Sequence, residues 1–183
     1  MVATAKPKMR TVDMAYIALF AVVMAVCAWI SIPAAVPFTL QTFGVFLAVG
    51  LLGGKRGTLA VLVYLLLGAV GIPVFAGFNG GLGYMLGATG GYIVGFVLSA
   101  LVMWAMEAAL GRKTWVLAVS MVLGLVVCYA FGTAWFLVLY ARTTGPIGVT
   151  TALGWCVIPY IIPDLLKLAL ALLLSGRVRK FLK

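Results

Sequence analysis

Histidine is absent from this 183-residue chain, acidic residues number 3, and charged residues of both signs make up only 9%. Without histidine, neither a Ser-His-Asp set nor a histidine-bearing zinc site can be assembled. The three cysteines, Cys27, Cys128 and Cys156, stand far apart in apolar sequence. That spacing argues against a disulfide framework or a thiolate metal site, and each reads as a small buried helix residue. A soluble domain carries about a quarter charged residues, so a water-facing surface is excluded. The nearest approach to a phosphate loop, Gly53-Gly54-Lys55-Arg56-Gly57, lacks the first glycine and the Ser/Thr after lysine. No catalytic residues, metal or cofactor are therefore expected, and ATP-driven work would need a partner.

What the chain has is apolar sequence, 66% of all residues. Runs near or above 18 residues recur along its length, the pattern of bilayer spans. Six are expected, over about Asp13 to Ser31, Leu40 to Leu52, Thr58 to Ile72, Gly87 to Leu110, Trp115 to Tyr140 and Gly154 to Leu174. The second is short for a span. The first follows Lys6, Lys8 and Arg10 as a signal peptide would, but further spans follow it, so it reads as a retained helix. The expected fold is an all-α membrane protein, a six-transmembrane-helix bundle forming one integral-membrane domain over 1–183, with short tails at about 1–12 and 175–183.

The net charge of +10 would suggest nucleic acid in a soluble protein. Here the cations fall in alternate loops: Lys6, Lys8 and Arg10, then Lys55-Arg56, Arg112-Lys113, and Arg177, Arg179, Lys180 and Lys183. The positive-inside rule puts those loops and both termini in the cytoplasm, with the lipid bilayer rather than nucleic acid as the surroundings. The opposite loops carry one cation, Arg142.

Those opposite loops are apolar for solvent-exposed turns. Ser31 to Thr39 is proline-rich, and Pro73 to Met85 holds Gly77, Gly80, Gly81, Gly83 and a lone Asn79. Such backbone can serve as a plain turn or approach a ligand closely. Small residues recur at i+4 in Gly83, Gly87, Gly91 and Gly95, and again in Ser120, Gly124, Cys128 and Gly132. Ridges of this kind let helices pack closely in lipid. Ala21 and Ala25 form a weaker pair on the first span, with Ala18 a turn earlier.

Outside the cation clusters, the ionisable residues are Asp13, Glu107, Arg142, Asp164 and Lys167. Asp13 and Glu107 lie near helix ends and read as anchors. Counting back from Ser175 at about 1.5 Å per residue puts Lys167 roughly 12 Å and Asp164 roughly 17 Å inside the span. Charges there are unfavourable by about 3 kcal/mol each. Their i,i+3 spacing shares one helix face: either an ion pair that holds the helix in place, or a polar site facing a cavity. Pro163 lacks a helix donor, so the helix is expected to break or begin there. Thr39, Gln41, Asn79 and Tyr84 supply neutral polar groups from the outer half. Together they suit a small, partly apolar ligand with amide-like groups and a carboxylate.

Three blocks carry a family resemblance: Ile32-Pro33 with Val36-Pro37-Phe38-Thr39-Leu40-Gln41; Gly71-Ile72-Pro73-Val74-Phe75 with Asn79-Gly80-Gly81 and Gly90-Gly91-Tyr92; and Pro159-Tyr160-Ile161-Ile162-Pro163-Asp164-Leu165-Leu166-Lys167. In this order they resemble the substrate-binding subunit of the biotin transporter family, over about Thr11 to Leu174. The resemblance implies a six-helix S component of an energy-coupling-factor (ECF) transporter in a prokaryotic plasma membrane. Its partners would be a transmembrane coupling protein and two ATPases. It implies Asn79 and Asp164 on the ureido ring of biotin, and Phe38, Tyr84 and the glycine backbone around Gly91-Tyr92 on the apolar parts. Some members carry Arg after Gly-Gly-Tyr; Ile93 stands here, which moves the expected carboxylate contact to Lys167, with Arg142 second. Ala21 and Ala25, with Ala18, match the family's contact with the coupling protein. An S component for another vitamin and a self-sufficient ion-coupled carrier are the alternatives.

Overall fold

The computed structural model describes residues 9–34 and 36–180; Lys6, Lys8 and Lys183 of the expected basic tails lie outside them. Among the described residues the structure is helical apart from one two-residue ladder. Its elements are α1 (Thr11–Trp29), β1 (Ser31–Ile32), β2 (Phe38–Thr39), α2 (Gln41–Leu52), α3 (Gly54–Ala69), α4 (Leu82–Met85), α5 (Gly90–Leu110), α6 (Thr114–Thr143), α7 (Val149–Cys156) and α8 (Ile161–Val178). β1 and β2 pair antiparallel, Ser31 opposite Thr39 and Ile32 opposite Phe38. Among the described residues, four stretches are long and apolar enough to cross a bilayer: Thr11–Trp29, Gly90–Leu110, Thr114–Thr143 and Val149–Val178, the last running through a kink.

Two of the remaining helices, α2 and α3, explain the short second run. α2 has 12 residues and is buried from Gln41 through Leu52 on nearly every face. A helix apolar all round belongs in the interior, and α2 is enclosed by α1, α3, α5 and α8. The turn into α3 is a single residue, Gly53, at φ +85°. It falls before Lys55-Arg56, so those residues open α3 rather than form a loop, and α3 starts four residues earlier than expected. Glycine is required next at Gly54, where a Cβ would overlap Trp104.

Basic residues close one end of the bundle. Arg179 donates to Gly50 O through Nε (3.0 Å) and Nη2 (2.6 Å), and Arg112 Nη2 donates to Leu51 O at 2.8 Å. These guanidiniums satisfy carbonyls that the end of α2 leaves open. Glu107 accepts from Gly54 N at 3.0 Å and sits 3.8 Å from Arg112. Asp13, buried in the first turn of α1, pairs with Arg56 at 3.1 Å. Both acids are tied to the basic end, as anchors would be.

Among the described residues α5 and α6 share the most extensive helix contact. A Cβ at Gly91 would overlap Trp135, one at Gly132 would overlap Tyr92, and one at Gly95 would sit 3.0 Å from Cys128 Sγ. Ser99 Oγ donates across the contact to Gly124 O at 2.6 Å. The ridge from Ser120 to Gly132 is thus a packing surface. The other ridge is interrupted: α4 ends at Met85 and α5 begins at Gly90, so Gly83 and Gly87 do not share a helix with Gly91 and Gly95. On α1, Ala21 and Ala25 are 1% and 4% exposed and belong to the core, while Ala18 is exposed. Their small side chains let α1 approach its neighbours, which corrects their reading as a surface for a partner.

Candidate functional site

Helix α8 starts where the sequence breaks its last span. Ile158–Tyr160 forms a 3-10 turn containing Pro159, and α8 begins at Ile161. Pro163 therefore falls in the first turn, where the missing N–H has no helical partner to lose. This start turns Asp164 and Lys167 inward, 4% and 7% exposed. Lys167 Nζ donates to Asp164 Oδ1 at 2.7 Å and to Thr39 O at 2.6 Å. It also lies 4.1 Å from the centre of the Phe38 ring, a cation–π contact. The other carboxylate oxygen, Oδ2, accepts from Tyr129 Oη at 2.5 Å. A buried pair is tolerated when such hydrogen bonds satisfy it.

These groups border a cavity of about 70 Å³, several times what one water needs. Thr39, Gln41, Asp164, Lys167 and Tyr129 give it a polar side; Ile93, Phe96 and Leu125 give it an apolar one. Thr39 Oγ1 accepts from Gln41 N at 3.1 Å and so fixes the start of α2. Gln41 Nε2 donates to Tyr64 Oη at 2.6 Å, and Tyr64 donates to Val74 O at 3.0 Å. Tyr84 lines the cavity and stacks on Phe75. Tyr92 lines it too, with its hydroxyl 2.9 Å from Thr133 Oγ1. Among the described residues no three His, Cys, Asp or Glu side chains converge as a metal ion requires.

The fold thus brings together Thr39, Gln41, Tyr84, Tyr92, Asp164 and Lys167, with Phe38 beneath Lys167. It leaves four of the expected residues outside the cavity wall: Phe38, which reaches it only through Lys167, and Asn79, Gly91 and Arg142. Asn79 is exposed and donates to Ala76 O at 2.8 Å, closing its own turn and holding Ala76 against the cavity. Gly91 faces Trp135 in the α5–α6 contact. Arg142 is exposed in the last turn of α6.

Residues 3–183 match the profile described as the BioY family. The chain belongs to the BioY family. It is 44% identical over 163 residues to the biotin transporter BioY of Thermotoga maritima, covering 88% of this chain and 92% of that one. The probable biotin transporter BioY of Pyrococcus horikoshii is 40% identical over 172 residues, covering 93% and 98%. Among solved structures, the S-component for biotin from an ECF-type ABC transporter superposes with a TM-score of 0.83. It is 26% identical and covers 94% of this chain and 95% of that one.

Within this BioY-family chain, several cavity residues escaped the sequence reading. Tyr129 had a usable signal: a tyrosine in the middle of an apolar span must find a polar partner. Tyr160, whose hydroxyl donates to Val36 O, and Cys156 had none. They reach the cavity only because the chain kinks between α7 and α8.

Proposed function

We propose that the cavity binds biotin, and that the chain is the substrate-specific S component of an ECF transporter. As a BioY-family member it is a multi-pass protein of a prokaryotic cell membrane that serves in transport and is not an enzyme. The observation that carries the ligand is the satisfied Asp164–Lys167 pair beside an apolar wall, in a chain whose relatives are biotin transporters. Biotin has matching parts: a ureido ring for Gln41 and Asp164, an apolar ring and chain for Phe96, Tyr84 and Leu125, and a carboxylate for a cation. Lys167 is that cation. Asn79 contributes by holding the wall at Ala76, and Arg142 stays outside the contact set.

In this reading the bundle has six membrane segments, with α7 and α8 as one broken segment and both termini in the cytoplasm. Arg10, Lys55, Arg56, Arg112, Lys113 and Arg179 then face inward and the cavity lies toward the outer half. Biotin is captured from outside, and a transmembrane coupling protein with two ATPases drives its release. The exposed side of α1 around Ala18 is the proposed contact with the coupling protein. Ala18→Trp should abolish uptake and leave biotin binding intact. Loss of binding would show that this side of α1 supports the fold instead.

Calorimetric titration of the purified, detergent-solubilised chain tests the ligand, with riboflavin and thiamine as controls. One-to-one binding of biotin alone is expected. Binding of another vitamin in its place would keep the S-component architecture and replace the ligand. Uptake by this chain alone, abolished when the proton gradient collapses, would favour an ion-coupled carrier.

A further inference from the structure

We infer that Tyr64 is a positioning residue of the biotin site, fixing the Gln41 amide so that its Oε1 faces the cavity as an acceptor for a ligand N–H. The inference rests on the biotin reading above. Tyr64 is fully buried in α3 and does not line the cavity. A phenol has one proton to give. The Val74 carbonyl, 3.0 Å from Tyr64 Oη, can only accept, so that proton is committed to it. Toward Gln41, 2.6 Å away, the phenol oxygen must then accept, and only the amide NH2 can supply the proton. A backbone carbonyl in the 70–81 segment thereby decides which way round the Gln41 amide stands.

The consequence falls on the other end of the amide. With Nε2 turned to Tyr64, Oε1 takes no bond from the described residues. It is not sealed in protein, because the sealed, unpartnered side-chain oxygen among them is Ser175 Oγ. Gln41 lines the cavity, so Oε1 opens there. The terminal torsion of glutamine is broad and roughly two-fold; without the Tyr64 hydroxyl the amide can turn and set its own N–H against that of the ligand. Tyr64 also holds the segment it takes its instruction from, with the Phe75 ring edge-on at 5.6 Å. Gln41 Oε1 and the Asp164 carboxylate are then two acceptors for the two N–H groups of a cyclic urea.

The test is titration of the full detergent-purified chain as wild type, Tyr64→Phe, Gln41→Ala and the double variant. The ligands are biotin and analogues methylated at either ureido nitrogen. Loss of one neutral hydrogen bond predicts about 10-fold weaker biotin binding in each single variant. The double variant should be no weaker than Gln41→Ala, because Tyr64 acts through Gln41. Tyr64→Phe should also narrow the preference for biotin over the methylated analogue. Multiplicative losses, no loss in Tyr64→Phe, or equal weakening of all ligands would overturn the role of Tyr64 while leaving the biotin reading in place. Absence of biotin binding by the folded wild-type chain would overturn both. Should Tyr64→Phe fail to fold, Gln41→Leu carries the test: a surviving preference for biotin over both methylated analogues would overturn the inference.

Discussion

α6 takes part in two contacts built on opposite principles. Along Gly124, Cys128 and Gly132 it packs on Ser99, Gly95 and the Tyr92 ring of α5, with no room for a larger side chain at either of its glycines. About 100° round the helix, one residue on, Leu125 and Tyr129 face the cavity, where Tyr129 reaches across to Asp164 on α8. The seam is close-packed and gains from dispersion and short interhelical bonds such as Ser99 to Gly124. The cleft is held open by side chains whose polar groups satisfy one another and leave room for a ligand. The seam can thus be broken by adding atoms, and the cleft by removing a charge or a proton.

The largest effect is expected in the seam. Gly132→Leu places side-chain atoms inside the Tyr92 ring and should destabilise by about 3 kcal/mol or more. The check is loss of a monodisperse, cooperatively melting species in detergent. In the cleft, Lys167→Met strands a buried carboxylate, an effect of about 3 kcal/mol on stability. It should also weaken biotin more than biotinamide. Adding Asp164→Asn should restore most of the melting temperature without restoring binding; equal melting of the single and double variants would show that the pair is not coupled.

Smaller effects separate the cleft from the basic end. Tyr129→Phe removes one hydrogen bond to a charged group and should lower stability by about 2 kcal/mol, read as a lower melting temperature with secondary structure unchanged. Arg56→Ala breaks a pair whose arginine is 42% exposed and whose aspartate remains near Arg10. Its effect should stay below about 1 kcal/mol and fade as salt is raised. A salt-dependent Lys167→Met effect as well would erase the distinction between buried and exposed pairs.

Much of this was legible in the residues because lipid imposes strict rules on them. Four long apolar helices, the break before Asp164, the packing role of Gly124 and Gly132, and the inward i,i+3 pair all follow from length, proline geometry and helical period. The interruption of the Gly83 to Gly95 ridge was not legible, because i+4 spacing continues through a non-helical turn unchanged. Nor was the inward face of Ala21 and Ala25: on a helix apolar all round, alanine spacing does not distinguish lipid from protein. Asn79 had the chemistry of a ligand contact, and its turn gave it a nearer partner.

The sequence by itself determined that this is an apolar helical bundle with a basic end and a charged pair deep in its last span, since the free energy of burying charge in hydrocarbon admits few alternatives. It also carried the family. Which groups meet across the cleft was decided only in three dimensions. Thr39 and Lys167 are separated by 128 positions and Tyr129 and Asp164 by 35, and Gln41 is oriented by a carbonyl on another segment. Hydrogen bonds between distant segments depend on helix rotation and a kink of a few residues, and helical periodicity constrains neither.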